Sequence, residues 1–599
     1  MIEKMNTKIA HRGPDDTGVF LSPGISLGNN RLSIIDLSPA AHQPMHSKDG
    51  RYTIVYNGEL YNFKEIKAEL GEYNFISNSD TEVILYAFIK WGAKCLEKFN
   101  GIFAFAIWDK EKQELFLARD QFGVKPLYYY YEGGKFIFSS EAKAIFEHNF
   151  VGRELNYHAL NNYFRFLYVL GPETMWSGIK KFPPAHYAVF KSGALTIKKY
   201  FSLEYKEKKY GAGELKNAVR QGLQAAVKRQ LVSDRPVGLF LSGGLDSSAI
   251  CAMMAREASG SIKTFSIGFD TEIEPEKFNA DFNIAARTAK YFKTDHNPII
   301  ISARDVADNF ENCVIAMDEP VSNHIEVPTY FLAREAKKQV AVVLGGDGGD
   351  ETWGGYDRYY YVHWIDKLQH FLPIIGNKNF SKLCGQLTGK QKVFEKLSLR
   401  PGLELFLSFM AQKEETLAKF LKKEYNNPLA PKESYAPYFI NSTADAANRM
   451  MLADIGTWLP DESLIRSDKL TMAHGLEERV PFLDKDFVEL AFTVSSKYKL
   501  NNRYQGKKIL KEALTGVLPE FILEQKKRGF FSPAAKWLRG DLKNMAYEIL
   551  SPAYTDKTAG LFDWDATRKI LNEHIEHKNY SLNTIWSLMT FQVWARNYL

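Results

Sequence analysis

Cysteine is scarce in this 599-residue chain, which has four: Cys95, Cys251, Cys313 and Cys384. They are scattered, with no C-x-x-C and no histidine at ligand spacing, which argues against a disulfide framework and against a zinc site. No uninterrupted apolar stretch approaches membrane-spanning length. The first sixteen residues hold no apolar run of the kind a signal peptide needs. Long basic runs are missing, and the net charge of +6 is small for the length, so neither nucleic acid nor a membrane surface is indicated as a partner. Internal repeats and low-complexity tracts are absent. The expectation is a soluble, cytoplasmic protein.

What is present is 45% hydrophobic, in a chain too long for one ordinary core, so two or more domains are expected. The chain opens as a helix, with Ile2, Met5 and Ile9 at helical spacing. The rest of the first third is dense in strand and turn signals. Tyr128–Tyr131 and Lys135–Phe138, joined across Gly133-Gly134, predict a hairpin. This part reads as an antiparallel layered domain. The polar stretch 201–214 marks a boundary, giving domains 1–205 and 212–599. Beyond it, strands such as "PVGLFLSGG" and "VAVVLGGDGGD" alternate with helices, which implies a parallel sheet. From about residue 360 onward helices dominate. The final helix carries Ile585, Leu588, Met589 and Val593 on one face.

The most informative stretch is "LFLSGGLDSSAI" (239–250). A buried strand runs into Ser242-Gly243-Gly244, and a helix follows. Glycines let backbone N–H groups approach an anion at a helix N-terminus, and the hydroxyls of Ser242, Ser247 and Ser248 add donors. The pattern is neither a Walker A loop nor a dinucleotide G-x-G-x-x-G. A second strand runs into "GGDGGDETWGGY" (345–356), which carries Asp347, Asp350 and Glu351. Carboxylates beside an anion loop repel a triphosphate unless a cation lies between them. Mg²⁺ suits that place, with Asp246 and Asp350 as candidate ligands.

The string S-G-G-x-D-S resembles the pyrophosphate loop of N-type ATP pyrophosphatases. Together with "MDEPVSNHIEVPTYFLAREA" (317–336), "DKLTMAHGLEERVPFLD" (468–484) and "KKRGFFSPAAKW" (526–537), the chain closely resembles glutamine-dependent asparagine synthases over essentially its whole length. The resemblance implies a parallel-sheet ATP pyrophosphatase domain with helical additions. That domain would adenylate the side-chain carboxylate of aspartate, and ammonia would then displace AMP. On this reading Leu241, Ser242, Gly243, Gly244, Asp246, Ser247, Ile267, Gly346 and Tyr356 form the ATP and pyrophosphate site. Asp347 and Lys527 are the catalytic candidates. Asp347 stands where the family often has Glu. By residue type alone, Lys527 reads as a surface lysine in a basic run.

The first third resembles the family's N-terminal-nucleophile glutaminase, an αββα sandwich. Arg31 would hold the glutamine α-carboxylate by a two-pronged contact. Asn57 and Gly58 would donate to the oxyanion, Glu59 lies beside them, and Asp80 would take the α-amino group. The family begins Met-Cys, and that cysteine is the glutaminase nucleophile. This chain begins at the segment before "HRGPD", and none of its four cysteines can substitute. Retention of the pocket residues favours a start placed too far downstream over a real loss. As written, the chain is expected to use ammonia. Cys95 is expected in the core. A homodimer is a further expectation. Relatives on this scaffold that close β-lactams, cyclise peptides or amidate cell-wall and sugar carboxylates are the alternative.

Overall fold

The computed structural model describes residues 1–599 except 72, 258, 259, 428, 441, 442, 501–505, 526, 528 and 530. A first helix, α1 (Ile2–Lys8), buries Met5 and Asn6. Eleven strands follow among the described residues. β1 (Asp16–Ser22) and β2 (Ile25–Arg31) pair antiparallel. β3 (Met45–His46), β4 (Tyr52–Leu60), β5 (Gly101–Asp109), β6 (Glu114–Arg119), β10 (His186–Lys191) and β11 (Ala194–Lys199) form an antiparallel sheet in the order β11-β10-β6-β5-β4-β3. β7 (Tyr128–Glu132), β8 (Lys135–Ser139) and β9 (Ile179–Lys181) form a third sheet. The predicted hairpin is β7–β8, with Glu132 opposite Lys135. Gly133 and Gly134 both adopt the positive φ that such a two-residue turn requires.

Strand alternation builds two cores from one sheet. Val55, Ala104, Ala106, Leu115 and Leu117 face the smaller sheets, with Leu127 and Phe182. Ile54, Tyr56, Phe103, Phe105 and Phe116 face the helices Phe63–Leu70 and Asp80–Trp91. Cys95 lies fully buried in this second core, as expected.

Residues 200–211 contain no helix or strand. Helix α2 (Ala212–Gln230) then leads into a parallel sheet. Its strands are β12 (Val237–Phe240), β13 (Lys263–Phe269), β14 (Asp295–Ile301), β15 (Val342–Leu344) and β16 (Glu477–Arg479), in the order β14-β13-β12-β15-β16. Val342, Val343 and Leu344 are fully buried, as central parallel strands require. From β12 the chain builds outward through β13 and β14, then returns to lay β15 on β12's other side. The order reverses between β12 and β15, and the carboxyl ends of these neighbours therefore flank the crevice where such sheets bind ligands. The remainder is predominantly helical, ending in Leu582–Tyr598, which is buried nearly all round rather than on one face. No helix among the described residues is long and apolar enough to cross a membrane.

Candidate functional sites

The crevice between β12 and β15 opens into a cavity of about 570 Å³, within the range of small-molecule and cofactor pockets. Ten of the nucleotide-site and catalytic candidates line it: Leu241, Ser242, Gly244, Asp246, Ser247, Ile267, Gly346, Asp347, Tyr356 and Lys527, and Asp350 lines it too. Gly243 does not. Its role is steric, because a Cβ there would lie 2.7 Å from the Cα of Asp281, so only glycine lets the loop pack on the neighbouring helix. The loop is tied at its neck. The N–H of Ser242 donates to Ser247 Oγ (3.1 Å), the two serine hydroxyls lie 2.9 Å apart, and the N–H of Gly244 donates to Ser242 Oγ (3.2 Å). Helix α3 (Leu245–Glu257) starts from this turn.

Across the cavity, Asp246 and Asp350 share one partner the sequence did not reveal, Lys507. Its ammonium is paired to Asp246 and lies 2.5 Å from Asp350 Oδ1. Lys527 pairs with Asp350 Oδ2 at 2.5 Å, with its side chain about a third exposed (36%). It lies at the exposed rim of the cavity, turned onto Asp350. Lys526, Arg528 and Phe530 of the basic run lie outside the described residues. Burial pushes the Asp350 carboxyl up, but Lys507 and Lys527 outweigh it and hold that group below the usual carboxylate range. Burial raises Asp246 in spite of Lys507. Glu351 is pushed up to about 8 by burial and by the charge of Asp350, while Tyr356 donates to it at 2.7 Å. The buried oxygen Asp246 Oδ1 has no hydrogen-bond partner. Two buried carboxylates facing a phosphate-type loop, one of them with an unpartnered oxygen, suit Mg²⁺, which is held by one or two carboxylates plus substrate phosphates. Among the described residues no group of three or more ligand side chains could hold a metal by itself.

Asp347 accepts hydrogen bonds from Ser463 and from Ser467 (3.3 Å). Ser467 and Arg466 belong to helix α4 (Ile465–Met472). Arg466, Asn323 and Glu478 also line this cavity and were missed from sequence. Asn323 and Glu478 lie in strings quoted above for other reasons, Arg466 lies just ahead of one, and only the fold brings the three together.

A second cavity, of about 110 Å³, lies in the first domain. Arg31, Asn57, Gly58, Glu59 and Asp80 all line it. The Arg31 guanidinium donates to the carbonyls of Ile35 (3.1 Å), Asp36 (2.5 Å) and Ser38 (3.4 Å). Gly58 has φ +148°, and a Cβ would lie 2.0 Å from the carbonyl of Ile102, so glycine is required. Asp80 accepts from the N–H of Leu60 and from Tyr56, both at 2.9 Å. None of the four cysteines lines either cavity.

The two cavities share a wall, strand β16. Period-two alternation sends Glu478 into the larger cavity, Glu477 into the smaller one, and Arg479 onto Glu59. Arg479 is fully buried and bridges Glu59 (2.7 Å) and Glu477 (2.8 Å), capping the carbonyls of Gln230 and Val232 as well. Lys125 reaches Glu477 and Asp468, both at 3.4 Å, and Arg12 joins Asp468 (2.7 Å) to Glu141 (2.9 Å).

The fold joins layered antiparallel sheets in the first part of the chain to a parallel sheet with a switch-point cavity in the second. Residues 1–201 match the glutamine amidotransferase domain model, and residues 218–596 match that of asparagine synthase. The chain is 33% identical over 601 residues to asparagine synthetase (glutamine-hydrolyzing) 1 of Bacillus subtilis, covering 99% of this chain and 93% of that one. It is 33% identical over 604 residues to synthetase 3 of the same organism, covering 98% and 92%. Amidase chry2 of Gibberella zeae is 27% identical over 626 residues, covering 96% and 91%. The chain belongs to the asparagine synthase family.

Proposed function

We propose that this chain makes L-asparagine from L-aspartate and ATP through a β-aspartyl-adenylate, releasing AMP and pyrophosphate. The observation that carries this reading is the switch-point cavity, where the S-G-G-x-D-S loop and the Asp347–Glu351 loop meet in a member of this family. A carboxylate is a poor electrophile, and adenylation supplies its leaving group. Ser242, Gly244 and Ser247 bind the pyrophosphate end of ATP, and Ile267 lies against the base. Lys507 and Lys527 neutralise charge that develops on the phosphates. Asp246 and Asp350 would hold Mg²⁺, which neutralises phosphate oxygens when bound. Residues 1–205 act as the amide-nitrogen domain and 212–599 as the synthetase.

The smaller cavity supports glutamine as the family's nitrogen source, with Arg31 toward its α-carboxylate, Asp80 toward its α-amino group, and Asn57 and Gly58 beside the amide. The four unpaired cysteines suit the cytoplasm, where ATP and aspartate are also found.

The test incubates the purified chain with ATP, L-aspartate and ammonium. Pyrophosphate and asparagine are expected in equal amounts, and Asp246→Ala is expected to abolish both. Pyrophosphate release that ignores aspartate but answers to another carboxylate would overturn the acceptor. Unchanged release by Asp246→Ala would overturn the metal site.

A further inference from the structure

Residues 371–400 line neither of the two cavities and take no part in the roles above. They run from the end of helix Asp357–Phe371 through a turn, Pro373–Gly376, into two helices, Lys378–Thr388 and Gln391–Leu397. A surface helix normally turns its apolar side toward the protein. Lys378–Thr388 does the reverse. It packs on the turn and on the second helix, and its two buried residues are Ser381 and Gly385. The Ser381 hydroxyl donates to the carbonyl of Ile375 (2.6 Å), and a Cβ on Gly385 would lie 3.0 Å from the Cα of Gln391. Leu383 and Leu387, one turn apart, are left on the outside, 54% and 78% exposed. Phe371 is 76% exposed, and Leu372, Ile374 and Val393 are each just over half exposed. A concentration of large exposed apolar side chains marks a surface of contact.

The charge of the same segment selects what makes that contact. Lys378, Lys382, Lys390, Lys392, Lys396 and Arg400 stand against a single carboxylate, Glu395. The segment's net charge is therefore +5, when that of the whole chain is +6. The six basic residues are spaced along the sequence and form no run, but two short helices and their turns collect them on one small unit. None of the six is ion-paired among the described residues, and all but Lys396 are exposed. Outward leucines flanked by unpaired lysines are the makings of an element that lies in the plane of an anionic bilayer. The apolar side chains enter the acyl boundary, and the lysine stems reach back to the headgroups. A second copy of this chain would set two strongly positive segments against each other. A nucleic acid would satisfy the lysines and leave the leucines in water.

We propose that residues 371–400 dock this protein reversibly on the surface of an anionic lipid bilayer, with Phe371, Leu383 and Leu387 entering the interface and the lysines on its headgroups.

The test is cosedimentation of the full chain with vesicles of phosphatidylcholine, alone or mixed with phosphatidylglycerol. Binding to the mixed vesicles is expected to be about tenfold tighter or more, and to weaken as salt is raised. Lys378→Gln/Lys382→Gln is expected to weaken it about twenty-fivefold, roughly fivefold for each cation withdrawn from the surface. Leu383→Ser/Leu387→Ser is expected to weaken it about tenfold or more. Both variants are expected to keep the urea midpoint of wild type, which separates a lost surface from a lost fold; if the leucine pair lowers it, the lysine pair decides. Absence of binding to the mixed vesicles overturns the proposal, as does equal binding to both kinds, or binding that no correctly folded variant weakens. A dimer that the leucine pair splits, seen by sedimentation equilibrium without any vesicle binding, also overturns it and gives the surface to a second copy.

Discussion

Lys507 stands between Asp246 and Asp350 as a cation would, and removing it has a consequence that can be sized. In Lys507→Ala the two buried carboxylates face each other with Lys527 on Asp350 alone. Unit charges about 5 Å apart at an effective dielectric near 20 repel by about 3 kcal/mol. A divalent ion placed between them recovers that energy, so Mg²⁺ binding without nucleotide should tighten by roughly a hundredfold, since about 1.4 kcal/mol is tenfold. ATP turnover should move the opposite way. Losing one preorganised phosphate donor costs on the order of 10²–10³ in rate. The assays are calorimetric titration of MgCl₂ into nucleotide-free protein, and aspartate-dependent ATP–pyrophosphate exchange. If the variant binds Mg²⁺ no tighter than wild type, Lys507 is not holding a cation's place. If exchange stays within threefold, it does not serve the phosphates either.

Two further outcomes concern stability. Arg479→Met leaves Glu59 and Glu477 buried without their shared partner, and should cost about 3–5 kcal/mol, read as a lowered urea midpoint; a loss below about 1 kcal/mol would contradict the bridging role. Lys499 is fully buried, donates to Asn448 Oδ1 (2.8 Å), and has its ammonium pushed by burial from the ordinary 10.5 down to about 7. Between those values the unfolded chain binds the proton and the fold does not, so this group's contribution to stability rises with pH from about 7 to about 10 and is lost as pH falls through 7. Lys499→Met should remove that rise and stabilise the protein at pH 6; identical urea midpoints for the two proteins across pH 6 to 9.5 would count against it.

Much of the layout was legible because local chemistry and fold agreed. The Tyr128–Ser139 hairpin follows from two glycines between alternating aromatics. The phosphate-type loop follows from serines and glycines at the end of an apolar strand. β14 went unread, since its Pro298 argues against a strand and is tolerated only because β14 lies at the sheet edge. β16 was harder still. Glu477-Glu478-Arg479 looks like a solvated triplet, yet all three are buried. Glu477 and Arg479 are paired with charges more than 300 residues away in sequence, Lys125 and Glu59, which no local pattern encodes. Lys507 was missed for a related reason. Lysines are common, and its meaning comes from two aspartates that are themselves more than 100 residues apart.

The shared wall at β16 bears on modularity. Along the chain the two domains are separable, with an irregular connector at 200–211. Across the sites they are not. A fragment ending at that connector would keep Glu59 and Asp80 but forfeit Arg479, the cation that balances them, and would leave its cavity short of one side. A synthetase fragment would in turn expose Glu477 and Arg479 to water. Grafting either half onto a foreign partner therefore requires carrying three residues of the other, and recombination between relatives should succeed only where the strand and its counter-charges travel together.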